Sequence, residues 1–234
     1  MLPRVAAATA TACAVVLLLA VAVAAAAAAA AATSPAGVYG AAIVAAEAQR
    51  SVHYVSTSNL AGNRETIVGD AAVDRGIQRI TFTHAGTTGH VTVIVAKAAA
   101  YVRGDAFTLR NFMALTSAQV SRYAGRWFAV RSPTLEYAVV AEAVQMRSFV
   151  NELTMPGPFT AVPATSIGGR RVTGVRGKLT QSGKTALLTL YVAGGSPLPV
   201  AQVIQGSTGK VTTTMTRWNE RVSVVAPRGA LAFH

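Results

Sequence analysis

From residue 51 onward, apolar and polar side chains alternate with a period of two, and residues that tolerate positive φ interrupt the alternation at short intervals. The first series runs over 52–60, 65–73, 77–84, 91–95 and 99–103. Its breaks are Ala61-Gly62-Asn63, Asp74-Arg75-Gly76 and Gly86-Thr87-Thr88-Gly89. Consecutive short strands joined by tight turns cannot make the long crossovers of a parallel sheet, so the pattern predicts an antiparallel meander. A second series covers 172–180, 185–192, 200–205, 210–218 and 221–225, with turns at Ser182-Gly183-Lys184 and Gly194-Gly195-Ser196-Pro197.

Helical spacing appears in two places. Residues 38–50 place Val38, Ile43 or Val44 and Ala48 on one stripe, behind an entry signal at Ser34-Pro35. Between the two strand series, 109–115, 117–123 and 135–153 read as helices. The last carries Val139, Val140, Ala143, Met146, Phe149, Val150 and Leu153 at three- and four-residue spacing, and Pro156 ends it. Residues 163–169 read as a loop. Each strand series is rich in Thr, Ser, Gln and Arg on one side, so neither buries a face alone. Joining them in one curved sheet, with the helices on its apolar face, satisfies both. The expectation is one α+β domain over 37–234.

Residues 1–36 have a different character. Arg4 closes a short positive n-region, and 28 uncharged residues follow from Val5 to Ala32, centred on Val15-Val16-Leu17-Leu18-Leu19. The run exceeds a secretory h-region and is long enough to span a bilayer, while the small residues of the Ala tract and Ser34-Pro35-Ala36 suit cleavage. Signal peptide and uncleaved anchor both remain open, and either places the domain outside the cytoplasm. The only cysteine, Cys13, lies inside this leader with the strongest apolar segment after it, which is the wrong order for a lipid-modified cysteine. The domain therefore contains no disulfide and no thiol nucleophile.

Charge narrows the partners. The chain carries 21 Lys and Arg against 9 Asp and Glu, and +11 remains once Arg4 is set aside. Such a balance favours anionic surfaces, including membrane head groups. The cations are scattered as singles apart from Arg170-Arg171, with no basic run and no aromatic ladder, which argues against nucleic acid.

Catalytic patterns are weak. His84 and His90 flank a turn and could meet across a hairpin, but no cysteine or carboxylate lies nearby in sequence to complete a metal site. Ser207-Thr208-Gly209-Lys210 matches S-x-x-K without its partner motifs. Gly183-Lys184-Thr185 ends like a phosphate loop but has Lys178 in place of the first glycine and precedes a strand. The nine acids form no paired motif. The reading is a protein that is not an enzyme and uses no cofactor or metal.

Several segments together resemble the LolA-like superfamily, in particular the LppX/LprG type of actinobacterial envelope proteins. They are the leading helix before a strand meander, the helical segments around Ala124-Gly125-Arg126-Trp127-Phe128-Ala129-Val130, the strand opening at Ser196-Pro197-Leu198-Pro199-Val200, and the closing run from Arg217-Trp218-Asn219-Glu220 to Ala226-Pro227. The resemblance implies an open antiparallel half-barrel closed by helices around an apolar cavity that carries acylated molecules. One departure is the missing lipobox cysteine, so lipid anchoring does not carry over. The apolar side chains placed to line such a cavity are Ile80, Phe82, Phe112, Val139, Ala143, Met146, Phe149, Val150, Leu188, Leu190 and Met215. Each buried methylene of a guest is worth about 0.8 kcal/mol, so an acyl chain needs no polar motif to bind. The same residues would equally serve a filled core, which would make the protein a structural or interaction module of the envelope.

Overall fold

Left-handed turns set the first half of the sheet. Ala61-Gly62 and Ala85-Gly86 all have positive φ and join tightly paired strands, the geometry whose twist matches flanking antiparallel strands. The structure, a computed structural model, describes residues 34–142, 144–181 and 184–234. Strands β1 (Ser51–Leu60), β2 (Asn63–Ala72), β3 (Gly76–His84), β4 (Thr87–Ala96) and β5 (Ala99–Gly104) form a continuous meander. It is preceded by α1 (Pro35–Glu47), whose entry is as expected: Ser34 accepts a hydrogen bond from the Gly37 amide at 3.0 Å and Pro35 occupies the first turn.

Helices α2 (Ala106–Asn111) and α3 (Ser117–Tyr123), strand β6 (Phe128–Arg131), and helices α4 (Leu135–Glu142) and α5 (Met146–Glu152) come next. Strands β7 (Thr160–Ile167), β8 (Arg170–Gln181), β9 (Lys184–Ala193), β10 (Pro199–Gly206), β11 (Gly209–Thr216) and the short β12 (Leu231–Ala232) complete the chain. All twelve belong to one curved, open sheet of order β12-β6-β5-β4-β3-β2-β1-β11-β10-β9-β8-β7, antiparallel except for the β12–β6 pair. The two strand series thus meet through β1 and β11, with Tyr54 opposite Met215.

Four local expectations are corrected. The helix expected over 135–153 is two helices. Gln145 adopts extended backbone and bridges Ala72 at the end of β2, while Val144 is fully buried over Gly76, where a Cβ would run into the Val144 carbonyl. Tertiary pairing here overrides helical periodicity. The loop expected at 163–169 is mostly the strand β7, paired with β8 through a register shift between Val162 and Thr165. The helical character expected around 124–130 gives way to β6, which pairs with β5. No strand forms over 221–225: both edges of the preceding β11 are already occupied, by β1 and β10.

Register assigns the faces. Residues directly opposite one another share a side, so Phe128, Val102, Val93, Gln78, Gly69, Tyr54 and Met215 form one row across the sheet, and Val91, Ile80, Ile67, Ser56, Thr213, Gln202 and Leu190 form the next. This is the inner face, and two main packed clusters stand on it. One joins Ala42 and Ala46 of α1 and Met146, Phe149 and Val150 of α5 to Tyr54, Leu188, Leu190 and Met215. The other joins Leu109, Val120 and Tyr123 of α2 and α3 to Ile80, Val91, Val93, Val102 and Phe128. Residues 1–33 of the leader, including Cys13, lie outside the described residues, and among those described no helix is long and apolar enough to cross a membrane.

Candidate functional site: an apolar cavity on the inner face

Between the second cluster and the helices over it lies a cavity of about 500 Å³. Its floor is Ile67 of β2, Gln78 and Ile80 of β3, Val93 of β4, and Phe128 and Val130 of β6. These positions point the same way because strand side chains alternate and the registers are unbroken. Phe112, Met113 and Leu115, in the link from α2 to α3, close one side, Leu135, Glu136, Val139 and Val140 of α4 close another, and Phe233 completes the wall. Only Gln78 and Glu136 are polar among the described lining residues.

Each wall has a local cause. Asp105 caps α2, accepting from the Thr108 amide at 2.7 Å and from the His90 amide, so the helix is tied to β4. Burial raises the Asp105 pKa, but the His90 and Thr108 hydrogen bonds outweigh it and hold the carboxyl below its ordinary value. Thr116 and Gln119 form a capping box at the start of α3. Phe233 is positioned by β12 alongside β6, and by Tyr123, whose hydroxyl donates to the Ala232 carbonyl at 3.1 Å and accepts from the His234 amide at 3.0 Å. Helix α4 covers the cavity incompletely: Leu135 and Val139 line it yet are 78% and 64% exposed. The cavity therefore opens to solvent along this helix.

A polar partition separates the cavity from the neighbouring cluster. Gln78 donates a hydrogen bond to the Tyr54 hydroxyl, and the Tyr54 ring lies directly over Gly69, where any Cβ would collide with it. Burial pushes the Tyr54 phenol well above its ordinary range, against the opposing effect of the Gln78 hydrogen bond. Beyond this wall the side chains pack against one another. The Phe149 and Tyr54 rings are 4.9 Å apart, Trp218 meets Phe149 edge-on, and Gln202 donates to the Glu152 carbonyl at 2.9 Å.

The residues expected to line a cavity therefore divide. Ile80, Phe112 and Val139 line this one, and the Phe82 ring packs at a tilt against Phe112 with centroids 5.4 Å apart. Met146, Phe149, Val150, Leu188, Leu190 and Met215 lie together in the filled cluster. Ala143 lies outside the described residues. Sequence pattern did not assign to the lining Ile67, Gln78, Val93, Met113, Leu115, Phe128, Val130, Leu135, Glu136, Val140 and Phe233. For Phe128 and Val130 a signal was present in the alternation from Trp127 to Arg131.

The histidines do not converge. His84 shares the inner face with Phe82 and bonds Asn63 at 2.5 Å, whereas His90 points outward and bonds Thr81 at 3.2 Å, so the two histidines that could have met across the hairpin sit on opposite faces. His53 lies on the outer face, 2.7 Å from Asp70, which Arg217 also approaches at 3.8 Å. No group of three or more potential metal ligands occurs among the described residues.

Comparison of the sequence with protein-family models and with curated proteins finds no match. Solved structures do match. LprF from Mycobacterium bovis superimposes with a TM-score of 0.58 at 15% identity, covering 83% of this chain and 97% of that one. The Mycobacterium tuberculosis lipoprotein LppX gives 0.52 at 16% identity, covering 82% of this chain and all of that one. The chain has the LprF/LppX fold. The resemblance read from short sequence markers thus holds at the level of fold, across most of the LprF/LppX chain length, and at an identity too low to transfer individual residues.

Proposed function

We propose that this LprF/LppX-fold chain is a carrier of the cell envelope, without enzymatic activity, that holds a lipid or other acylated molecule in the inner-face cavity. The observation that carries the reading is the cavity itself: about 500 Å³, almost wholly apolar, open along α4, and set between sheet and helices. Its size lies within the range of small-molecule sites, roughly 300–1,000 Å³. Burying an acyl chain there would contribute an upper bound on the order of 10 kcal/mol, before the entropy of ordering the chain is subtracted.

In this reading the curved sheet acts as a half-barrel and the helices on its concave side as its cover. The leader acts as signal peptide or anchor, placing the domain outside the cytoplasm, and the net positive charge favours approach to an anionic membrane surface. The alternative of a structural or interaction module with a filled core describes the α1/α5 side of the inner face but not the side under α4. Native mass spectrometry of protein purified from its own membrane tests the proposal. A co-purifying lipid displaced by an acyl probe is expected, whereas an empty cavity that takes up no probe overturns it.

A further inference from the structure

The mouth of the cavity is edged by a stripe of α4. Leu135 and Val139 stand one helical turn apart, line the cavity and lie mainly in solvent. Phe112, Met113 and Leu115 line it from the α2–α3 link and are each only half-buried. Single exposed apolar side chains are ordinary, but these border an apolar cavity, so surface and interior form one continuous apolar patch.

Cations stand at the first turn of the same helix. Arg131 pairs with Ala99, and the Ser132 amide donates to the Ala98 carbonyl at 3.1 Å, so the β4–β5 turn and the end of β6 form one corner. That corner sets exposed Lys97 and Arg131 beside the start of α4. Of the acids of α4, Glu136 stands at the mouth and Glu142 ends the helix. Two cations thus accompany Glu136 at the first turn. Apolar side chains next to Lys and Arg are the composition of a surface that seats in the head groups of an anionic bilayer. The uncharged run from Val5 to Ala32 joins the domain through Ser34 and α1, which packs on the inner face as α4 does. A leader kept in a bilayer therefore tethers the domain by this side.

We infer that the mouth is also a docking surface: Leu135 and Val139 enter the head-group region of an anionic lipid bilayer, Lys97 and Arg131 meet its phosphates, and cargo passes between bilayer and cavity without crossing water. The inference rests on the carrier reading above and names the partner surface of the same site. Methylenes of an acyl chain resist exposure to water, so an apolar mouth held in the bilayer lowers the barrier to exchange.

The test uses the full chain reconstituted on phosphatidylcholine vesicles with and without phosphatidylglycerol, read by hydrogen exchange and by uptake of a fluorescent acyl probe dissolved in the vesicles. Relative to the same chain held soluble by an amphipathic polymer, amides over 97–98 and 131–139 should exchange roughly threefold more slowly on the anionic vesicles. Lys97→Glu with Arg131→Glu, neither of which lines the cavity, should remove that protection and slow uptake from anionic vesicles about fivefold. The affinity of the polymer-held protein for the probe should stay within about twofold, since a mouth charge outside the cavity acts on encounter and not on burial. Lys97→Ala with Arg131→Ala gives the same readout should the reversal fail to fold. Arg64→Glu with Lys210→Glu, on the outer face across from Asn59, should change neither quantity. Probe uptake without protection at 97–98 and 131–139, or uptake slowed by the outer-face pair and not by the mouth pair, overturns the docking assignment and leaves the carrier reading standing. Absence of probe uptake in vesicles and polymer alike overturns the carrier reading itself.

Discussion

The two halves of the inner face are made from similar strand residues and differ in what covers them. Under α1 and α5, the side chains of Met146, Phe149, Val150 and Trp218 reach the sheet and meet Tyr54, Leu188 and Met215 in close packing. Under α2, α3 and α4, the sheet offers mainly β-branched Ile67, Ile80, Val93 and Val130, and the helical cover is short and partly turned outward. A floor of shorter side chains under an incomplete cover leaves a void, because strand residues cannot move inward to fill it. The cavity thus arises from the short floor and the incomplete cover together.

The comparison is tested most strongly by truncation. Phe149→Ala should cost about 3–5 kcal/mol, as expected for a large aromatic removed from a filled core, whereas Phe112→Ala at the cavity wall should cost less than half as much. Urea denaturation of the two variants provides the measurement. Equal losses would mean that the two sides are equally packed.

Added bulk should give the opposite contrast. Met146→Trp should destabilise by roughly 1–3 kcal/mol through overpacking, while Val140→Trp, facing the void, should change stability by less than about 1 kcal/mol and abolish uptake of an acyl probe. A third variant sharpens the picture on the hollow side. Asp105→Ala removes the α2 cap and its tie to β4, costing about 1–2 kcal/mol, and hydrogen exchange should rise over 105–112 while 146–153 stays protected. Because the folded state holds this carboxyl below its ordinary 3.8, its contribution is present above that pH and lost as pH falls through the folded value.

The smallest effect is expected at Glu65. Burial raises its pKa above the ordinary 4.5, so the folded protein holds the proton more tightly than the unfolded chain. Wild type should therefore lose stability relative to Glu65→Gln as pH rises through 4.5 to the folded value. The gap should be absent below about pH 4 and full at pH 7, at less than about 1 kcal/mol given its partial exposure. Thermal melts at pH 3.5 and 7 would reveal a reversed sign.

Most of the strands were legible because alternation and turn chemistry are local. The expected 52–60 and 77–84 lie within a residue of β1 and β3 at each end, and the 117–123 helix is α3 itself. The lining was legible at only a few positions. Ile80 and Phe112 were recognised as large apolar residues in the right elements, but Met146 and Phe149 have the same chemistry and lie in the filled half. Nothing in their identity separates the two roles. Phe233 could not be found from pattern at all, since it lines the cavity only because β12 pairs with β6.

By itself, then, the sequence determined an antiparallel β-rich domain with a basic surface and helices inserted between two strand series, because side-chain period, turn residues and charge are written residue by residue. Tertiary structure alone decided that β1 and β11 join the series, that Gln145 breaks the central helix against Ala72, and that one side of the inner face is hollow. Volume depends on how distant segments fail to meet, and no single segment encodes that distance.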